Sequence, residues 1–399
     1  MMSDKKLMTL GIVAVIAVVA AILVGRISQP GQKSGLVVGP LIGGMDIDRI
    51  AKIVVTGEKG KQKTTIVKSG DRFVVAEKDN YPAYPKSVNE LVARCLSFRT
   101  EELSTQDPAF HKDLGVTDDT AQNTATFYDS DNKPIVGILV SPAKGEPEKQ
   151  QQGAYIRLAA ENNVYLTLSS PYINSAPMDY IDKNLLEVDT KKVTEVSATD
   201  PNNNSYTLKG DKDGEVVALL DMPAGKQFKG TEYRNVFTAL NNLSIEDVMA
   251  ESKVKDLKPD WRYVCKLSDS TVYTLRLGKK DGKVYLSAAA EFTDKSAVVK
   301  EQGVESQEQL KAKEVKLLAR DGAERFTKKT AGWLYVIPEY RAANVMKKMM
   351  DLLEAVPPAP KPAEPNSPPA AALQPKPAPQ KKPALQPKPA PVAAPKKKP

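Results

Sequence analysis

The feature that most limits how this chain can fold is an uncharged apolar run near its start, Leu7–Gly25. Lys5 and Lys6 precede the run, and Arg26 follows it. At ~1.5 Å per helical residue the run would reach about 28 Å, close to the ~30 Å hydrocarbon core of a bilayer. We therefore expect residues 1–27 to form a transmembrane signal-anchor that has the lipid bilayer as its partner.

A cleaved secretory signal is the alternative interpretation of the same run. Such a signal has a shorter apolar core and a small-residue cleavage site, which residues 17–21 could supply. Residues 22–24 extend the apolar run beyond that site, and this favours retention of the anchor. The lysines before the run favour a cytoplasmic amino terminus. The expected location is the bacterial inner (cytoplasmic) membrane, single-pass, with the bulk of the chain in the periplasm or extracytoplasmic space.

The formal net charge of +8 is concentrated at the carboxyl end of the chain. From residue 356 onward Glu364 is the single acid, and eight lysines stand against it: Lys361, Lys376, Lys381, Lys382, Lys388, Lys396, Lys397 and Lys398. The tail therefore carries seven of the eight net charges, and the rest of the chain is close to neutral. A nucleic-acid-binding domain usually has a basic face on a folded surface, so we expect no nucleic-acid partner.

Composition predicts that residues 356–399 form a disordered Pro/Lys-rich tail. This segment has sixteen of the thirty prolines, contains no aromatic residue and repeats ALQPKPAP at 372–379 and 384–391. Proline removes backbone donors, and the few large apolar groups cannot offset the chain entropy lost on folding. The tail either serves solubility alone or is an arm that binds anionic wall polymer, phospholipid headgroups or an acidic protein.

The chain between anchor and tail is expected to contain a linker at 28–44 and two α+β units, 45–190 and 191–355. The sequence pattern of each unit predicts antiparallel β-meanders with packed helices. The predicted strands and helix follow the same order in both units, which indicates a duplicated unit. The first unit predicts strands at Ile53–Thr56, Thr64–Lys68, Arg72–Glu77, Thr124–Tyr128, Ile135–Val140, Ala154–Leu158 and Val164–Leu168. The second, opened by Val193-x-x-Val196, predicts strands at Ser205–Leu208, Glu215–Leu220, Trp261–Leu267, Val272–Leu277, Val284–Ala288 and Gly332–Ile337.

Apolar residues at helical spacing predict four helices. Ser87-x-x-Glu90 is expected to form a capping box, and the helix that it would begin is expected to bury Val88, Leu91, Val92, Cys95 and Leu96. Thr231 caps a second helix that buries Tyr233, Val236, Phe237 and Leu240. A closing helix is expected after Tyr340, with Ala342, Val345, Met346, Met349, Leu352 and Leu353 on one face, and a weaker helix is expected near Met178–Leu186.

Two segments resemble an uncharacterised bacterial domain-of-unknown-function family. GAYIRLAAENNVYLTLSSPYI (153–173), continued by DYIDKNLLEVDTKKVTEV (179–196), is similar to the family's core, and AGWLYVIPEYRAANVMKKMMDLLE (331–354) is similar to its closing segment. These motifs describe strands and helix ends and carry no chemistry. The resemblance implies a single N-terminal anchor and genes placed beside ABC transporters of the gliding-motility type.

The sequence predicts no catalytic, cofactor-binding or metal site. The single histidine, His111, excludes two-histidine metal motifs, and a surface position is expected for it. Asp129-x-Asp131 and Asp211-x-Asp213-Gly214 resemble calcium loops but lack the required glycine position or glutamate. Gly57–Thr65 lacks the phosphate-loop spacing and predicts a hairpin turn. Trp261, Trp333 and Tyr335 are expected in the sheet core.

The two cysteines, Cys95 and Cys265, leave two interpretations open. In an exported chain they could pair in a disulfide, although a sequence does not show whether they come within bonding distance. Two separate buried thiols are the alternative.

These observations favour a membrane-anchored, non-enzymatic accessory or scaffold protein of the cell envelope, with envelope proteins such as ABC transporter subunits as partners and no cofactor. A cell-wall or anionic-surface binding protein that acts through the tail is the alternative. A hydrolase with a dispersed acidic site is a third hypothesis, which requires carboxylates that converge in a cleft.

Overall fold

The computed structural model describes residues 38–144, 153–167, 171–211, 214, 216–298 and 305–357. The predicted anchor at Leu7–Gly25 and the tail beyond residue 357 lie outside these ranges. Among the residues described, no helix has both the length and the apolar character needed to cross a bilayer.

Among the described residues up to 167, eleven strands and one α-helix form the first part of the fold. The strands are β1 (Gly39–Pro40), β2 (Lys52–Gly57), β3 (Gln62–Ser69), β4 (Arg72–Val75), β5 (Tyr81–Pro82), β6 (Arg99–Thr100), β7 (Glu102–Thr105), β8 (Asn123–Tyr128), β9 (Pro134–Val140), β10 (Ala154–Leu158) and β11 (Val164–Thr167). Helix α1 spans Pro85–Ser97. Nine of the strands form sheet one, in the order β5-β4-β3-β2-β8-β9-β10-β11-β7, and β1 pairs with β6.

The second part, counted over the described residues from 171 onward, contains twelve strands and three α-helices. The strands are β12 (Asn184–Leu186), β13 (Val193–Thr199), β14 (Ser205–Gly210), β15 (Val217–Leu219), β16 (Lys226–Phe228), β17 (Leu243–Ser244), β18 (Asp247–Ala250), β19 (Trp261–Leu267), β20 (Thr271–Lys280), β21 (Lys283–Phe292), β22 (Trp333–Ile337) and β23 (Leu353–Ala355). The helices are α2 (Glu232–Phe237), α3 (Gln307–Thr330) and α4 (Glu339–Val345). Sheet two has the order β15-β14-β13-β19-β20-β21-β22-β18, while β12 pairs with β17 and β16 with β23.

The strands form where the sequence alternates. In β2 every second residue is buried, which places Ile53 and Val55 in the core and leaves Lys52 and Val54 on the other face. The turn after β2 has Glu58 and Lys59 at positive φ, as the predicted hairpin requires. The mostly β, α+β class is therefore confirmed.

The strands of the two sheets follow one order along the chain. Apart from β5, every strand of sheet one has a counterpart at the same place in sheet two, beginning with β2 and β13. All strand pairs in both sheets are antiparallel. This order supports the predicted duplication, which stays a prediction.

Side chains of both predicted units share one hydrophobic core. It contains Ile53 and Phe127 of sheet one together with Tyr263 and Leu275 of sheet two, all fully buried. The predicted linker at 28–44 also contributes to the packing, because Leu41 and Ile42 are buried in the same core.

Three helix predictions require correction. Helix α1 begins at Pro85, whose fixed φ suits the first helical turn, so Ser87 and Glu90 lie inside the helix and form no capping box. Residues 178–186 form a 3₁₀ turn and then β12, which pairs with β17. The closing helix ends at Val345, and Leu353 lies in β23, paired with β16. In the last two cases strand pairing with distant residues overrides the local helical pattern.

The buried faces of α1 and α2 largely match the prediction. Val88, Leu91, Val92 and Cys95 are buried in α1. In α2 Val236 and Phe237 are buried, and Thr231 is the N-cap residue but forms no side-chain cap hydrogen bond. Leu240 is buried as well, but it follows the end of α2.

The two sheets contact each other where the β4–β5 edge of sheet one meets β18 and β22. The Tyr81 ring lies edge-on to Trp333, with 4.8 Å between ring centroids. Two ion pairs accompany this contact: Lys78 with Asp247 at 2.5 Å, and Asp79 with Lys253. The Asp79 carboxylate also accepts a hydrogen bond of 2.9 Å from the Ala250 N–H.

Replacing Asp79 by asparagine tests the charge at this contact. Burial by itself would raise the pKa of the Asp79 carboxyl, but hydrogen bonds from Lys253 and from the Ala250 N–H outweigh it and hold the pKa below the ordinary 3.8. A lowered pKa stabilises the fold above the unfolded-state pKa, and this stabilisation is lost as the pH falls through the folded-state pKa.

We expect Asp79→Asn to lower the free energy of unfolding by about 1 kcal/mol at neutral pH, a modest value because the pair is partly solvated. Asparagine tolerates the left-handed backbone at this position (φ 57°), so the variant removes charge and little else. Urea denaturation at neutral pH and well below pH 3.8 is the measurement. A difference between wild type and variant that persists in acid would contradict the assignment.

Candidate functional site

Helix α3 is the longest helix among the described residues, and the sequence analysis missed it. Its first turn carries a capping box, in which the Ser306 hydroxyl accepts from the Gln309 N–H and the Gln309 side chain accepts from the Ser306 N–H. This Ser-x-x-Gln spacing was the available signal. The apolar residues of α3 do not follow one core-facing stripe, so periodicity alone gave no indication of it.

The carboxyl-terminal half of α3 is attached to sheet two. The Thr327 hydroxyl accepts from the Ala290 N–H at 2.8 Å and donates to the Ala290 carbonyl at 2.7 Å. The Thr330 hydroxyl donates to the Ala288 carbonyl at 2.7 Å, and the Phe326 ring packs edge-on against Tyr273 at 5.3 Å. These contacts fix the direction of the helix.

The amino-terminal half of α3 presents large apolar side chains to solvent. Four of them, Leu310, Val315, Leu317 and Leu318, are between 41% and 53% exposed. Ala323 and Thr330, the buried residues of α3, both lie in its second half. A soluble helix normally packs such side chains against a neighbouring element, so this half of α3 is a candidate interaction surface.

A groove runs beside α3, between the helix and residues 292–298. It consists of two adjoining cavities of about 590 and 750 Å³, which share Phe292, Val298 and Lys316 in their walls. The Lys316 ammonium pairs with Asp294 at 2.8 Å and also donates to the Ser296 carbonyl. The hydrogen bonds from Lys316 and Ser296 lower the pKa of the Asp294 carboxyl to about 2.

These contacts indicate what the groove can do chemically. Asp294 stays ionised and is held by Lys316, so it is poorly suited to general acid or base work near neutral pH. Lys313 is likewise paired with Glu305 at 2.8 Å. A groove in which Lys313 and Lys316 are already paired, with an exposed leucine (Leu317) in its wall, is suited to binding another chain.

The two cysteines are separate buried thiols. Both Cys95 and Cys265 are free and fully buried, one in α1 and the other in β19. Burial raises the pKa of each thiol to about 12. The alternative of two unpaired thiols therefore describes this structure, and neither sulfur is activated as a nucleophile.

His111 lies inside the fold, and the expected surface position is wrong. Its side chain is buried, and its Nε2 lies 3.0 Å from the carbonyl oxygen of Asn162, in the turn between β10 and β11. The neighbouring Phe110 is 52% exposed. The connector turns back on itself, with the Val116 N–H donating to the His111 carbonyl, and this places the ring inward.

The first calcium-like loop is a capped turn. One Asp129 oxygen accepts from the Asp131 and Lys133 N–H groups at 3.0 and 2.9 Å, and the other pairs with Arg49 at 3.2 Å. Asp213 of the second loop lies outside the described residues. Within the described ranges, no group of three or more metal-ligating side chains could hold an ion.

The aromatic residues named from the sequence lie in the sheet core or at its edge. Tyr335 is fully buried and Trp261 is 9% exposed, whereas Trp333 is partly buried at the contact with Tyr81. They are packing residues of the two sheets.

Comparison with protein families matches residues 74–262 to a domain of unknown function, DUF4340. The match runs from β4 to β19, covers parts of both sheets and supports an uncharacterised family. It includes the 153–196 segment whose motifs carried the resemblance, and it ends before α3. No curated protein and no solved structure matches the chain.

Proposed function

We propose that this chain is a membrane-anchored, non-enzymatic accessory or scaffold protein of the bacterial cell envelope. Its partner would be a subunit of an ABC-type transport complex of the gliding-motility type, docked against α3. The observation that carries the proposal is the exposed apolar surface formed by Leu310, Val315, Leu317 and Leu318. The docked segment would present apolar side chains to this surface, and it need not supply acids for Lys313 and Lys316, because both already have acid partners.

A comparison of the two sheets supports a separate role for α3. In sheet one β10 is joined to β11 by residues 159–163, whereas in sheet two the counterparts β21 and β22 are joined by residues 293–332. If the two units descend from one duplicated unit, as we propose, the turn at 159–163 indicates that the corresponding hairpin in sheet two can also close with a short turn. The long connection that contains α3 then adds a surface that closing the sheet does not require.

The sequence supports a partner located at a membrane. The uncharged run at Leu7–Gly25 is long enough to anchor the chain, and the flanking lysines favour an exported body. A tethered domain is held at a high effective concentration beside other proteins of the same bilayer. The family resemblance adds the association with ABC transporter genes.

Paired substitutions on α3 test the proposal. Leu317→Glu with Leu318→Glu places two carboxylates on the exposed surface while keeping good helix formers. Tagged full-length chain would be crosslinked in membranes, solubilised in detergent and captured, and the recovered subunits would be identified by mass spectrometry. We expect wild type to recover ABC permease and ATPase subunits, and the variant to recover at least about tenfold less, since buried carboxylates oppose docking.

Val216→Glu with Leu220→Glu is the matched control, because both residues are exposed apolar side chains that flank β15, at the edge of sheet two away from α3. This control should recover the same subunits as wild type. The proposal fails if wild type recovers no transporter subunit under crosslinking, or if the α3 variant recovers as much as the control.

A second candidate function rests on the tail, which carries seven of the eight net charges. In that case the lysines bind cell-wall polymer or another anionic surface. Deletion of residues 357–399 should then abolish sedimentation of the chain with purified cell wall, with the α3 substitutions having no effect on it. Unchanged sedimentation after the deletion would reject this function.

A further inference from the structure

The outer face of sheet two, the face opposite α3, is only partly covered by other residues. Over β18, β21 and β22, the side chains Tyr285, Leu334 and Val336 are buried beneath Val254 and Leu257 of the preceding loop. The loop passes close to β20, since a Cβ at Gly278 would lie 2.4 Å from the Lys258 carbonyl oxygen. Helix α3 packs on the opposite face, where Tyr273 meets Phe326.

Where the loop does not cover this face, one row of directly opposed residues crosses the strands. Every side chain in the row can donate hydrogen bonds, from either a hydroxyl or a guanidinium group. Strand register places Ser205 opposite Thr199, Thr199 opposite Arg262, Arg262 opposite Arg276, and Arg276 opposite Ser287. Directly opposed residues of an antiparallel sheet point to one face, and the row crosses five strands, about 19 Å. Both arginine side chains are exposed.

In the part of the chain that the structure describes, neither arginine of the pair has an acid as its ion-pair partner. Like charges directly opposite each other destabilise a sheet. Glu195 on the same face is taken by Lys266 at 2.5 Å and Lys209 at 3.9 Å. Across the described ranges, neither Arg262 nor Arg276 forms an ion pair within 4.0 Å or a side-chain hydrogen bond, although Asp260 precedes Arg262 by two residues.

Sheet one has no counterpart of this pair. There the second residue of β8, Thr124, lies opposite Leu139, and both are buried. Leu139 packs under Val116 and Ala121 of the loop that precedes β8. At the same place in the strand order, sheet one therefore has two buried side chains, whereas sheet two has two exposed guanidinium groups.

We propose that Arg262 and Arg276 form a binding site for a phosphate group on the outer face of sheet two. Each guanidinium presents paired N–H donors that match the oxygens of a phosphate, and Cβ atoms about 5 Å apart allow both to reach one phosphorus centre. Thr199 and Ser287 flank the pair and add hydroxyl donors. The phosphate comes from a phospholipid headgroup or from a soluble phosphate compound, two sources with the same chemistry.

Calorimetric titration of the full chain in phosphatidylcholine nanodiscs tests this site at low salt. Inorganic pyrophosphate probes the soluble source, and dihexanoyl phosphatidylglycerol, kept monomeric, probes the headgroup. We expect at least one of the two to bind wild type, and Arg262→Gln with Arg276→Gln to weaken that binding at least about tenfold. Arg262→Lys with Arg276→Lys should fall between, because it keeps the charge but loses the planar fork.

Lys279→Gln with Lys283→Gln is the matched control, since it removes two exposed charges from the same sheet outside the row. A second control replaces the eight tail lysines by glutamine, which separates this site from tail binding. Both controls should keep binding within about twofold of wild type. Failure of both probes to bind wild type, or equal weakening by either control, overturns the site.

A thermal melt distinguishes a ligand site from a structural role. Because the opposed arginines repel each other, Arg276→Gln should melt no lower than wild type while it loses phosphate binding. A clear loss of thermal stability would show that the arginine supports the fold instead. This proposal does not depend on docking at α3, so each can fail without the other.

Discussion

Replacing Tyr335 by alanine is expected to lower the free energy of unfolding by about 4 kcal/mol, the range found for large buried rings. Tyr335 lies in β22 and is fully buried at the contact between the two sheets. Its ring is edge-on to Tyr81 at 6.2 Å between centroids, and the two hydroxyl oxygens lie 3.3 Å apart. Alanine would leave a cavity that rigid strands on both sides cannot fill.

Tyr335→Phe is the control for the ring without its hydroxyl. It retains the packing and should cost about 1 kcal/mol, the net value of one buried hydrogen bond. Urea denaturation followed by circular dichroism measures both variants, and the two transitions should differ clearly in midpoint. Similar midpoints for the alanine and phenylalanine variants would mean that the ring does not join the sheets.

Replacing Arg157 by alanine is expected to cost about 3 kcal/mol, because several hydrogen bonds from one charged group are lost together. Arg157 lies in β10, and its guanidinium donates twice to the Val116 carbonyl, at 3.0 and 3.1 Å. It also donates to the carbonyls of Leu158, Ala159 and Glu161. One side chain thus holds both the loop before β8 and the turn after β10.

Hydrogen exchange of residues 111–121 is the second measurement for this variant. Without the guanidinium the Val116 carbonyl has lost its donor, so the loop should open and its amides should exchange faster. Arg157→Lys can replace a single hydrogen bond and should recover only part of the loss. Full recovery by lysine would contradict the assignment to the guanidinium fork.

Most strands could be predicted from the sequence because their signal is local. Strands β10 and β19 lie within the predicted bounds, Ala154–Leu158 and Trp261–Leu267, where apolar and polar residues alternate between turn residues. One face of each strand must be buried, and this requirement makes every second residue apolar. The hairpin turns follow for the same reason.

The helices were less predictable from the sequence because tertiary contacts decide whether a segment becomes a helix. Residues 349–355 have helical spacing, yet Leu353 pairs with Phe228 in a strand, and the Tyr206 hydroxyl donates to the Lys347 carbonyl. Helix α3 is the opposite case: a helix forms although its sequence lacks a continuous apolar stripe. Its Thr327 and Thr330 hydroxyls attach it to the backbone of β21. Neither outcome follows from local pattern.

The candidate sites depend still more on the fold. Arg262 and Arg276 are separated by a hairpin, and only the register of β19 and β20 places one opposite the other. The proposed docking surface on α3 depends on the exposure of Leu310 and Leu317, which the fold decides. A sequence reports how polar a residue is, but it does not report what covers that residue.

The sequence by itself determined the class of this protein: an apolar run of membrane length, a Pro/Lys-rich tail, and meanders of alternating strands between them. These properties depend on composition and short-range periodicity, which each segment carries alone. The tertiary structure decided the rest: the meeting of the two sheets at Tyr81 and Tyr335, the burial of His111, the exposed half of α3 and the arginine pair. Each of these requires residues distant in sequence to come together, and chain packing alone provides that contact.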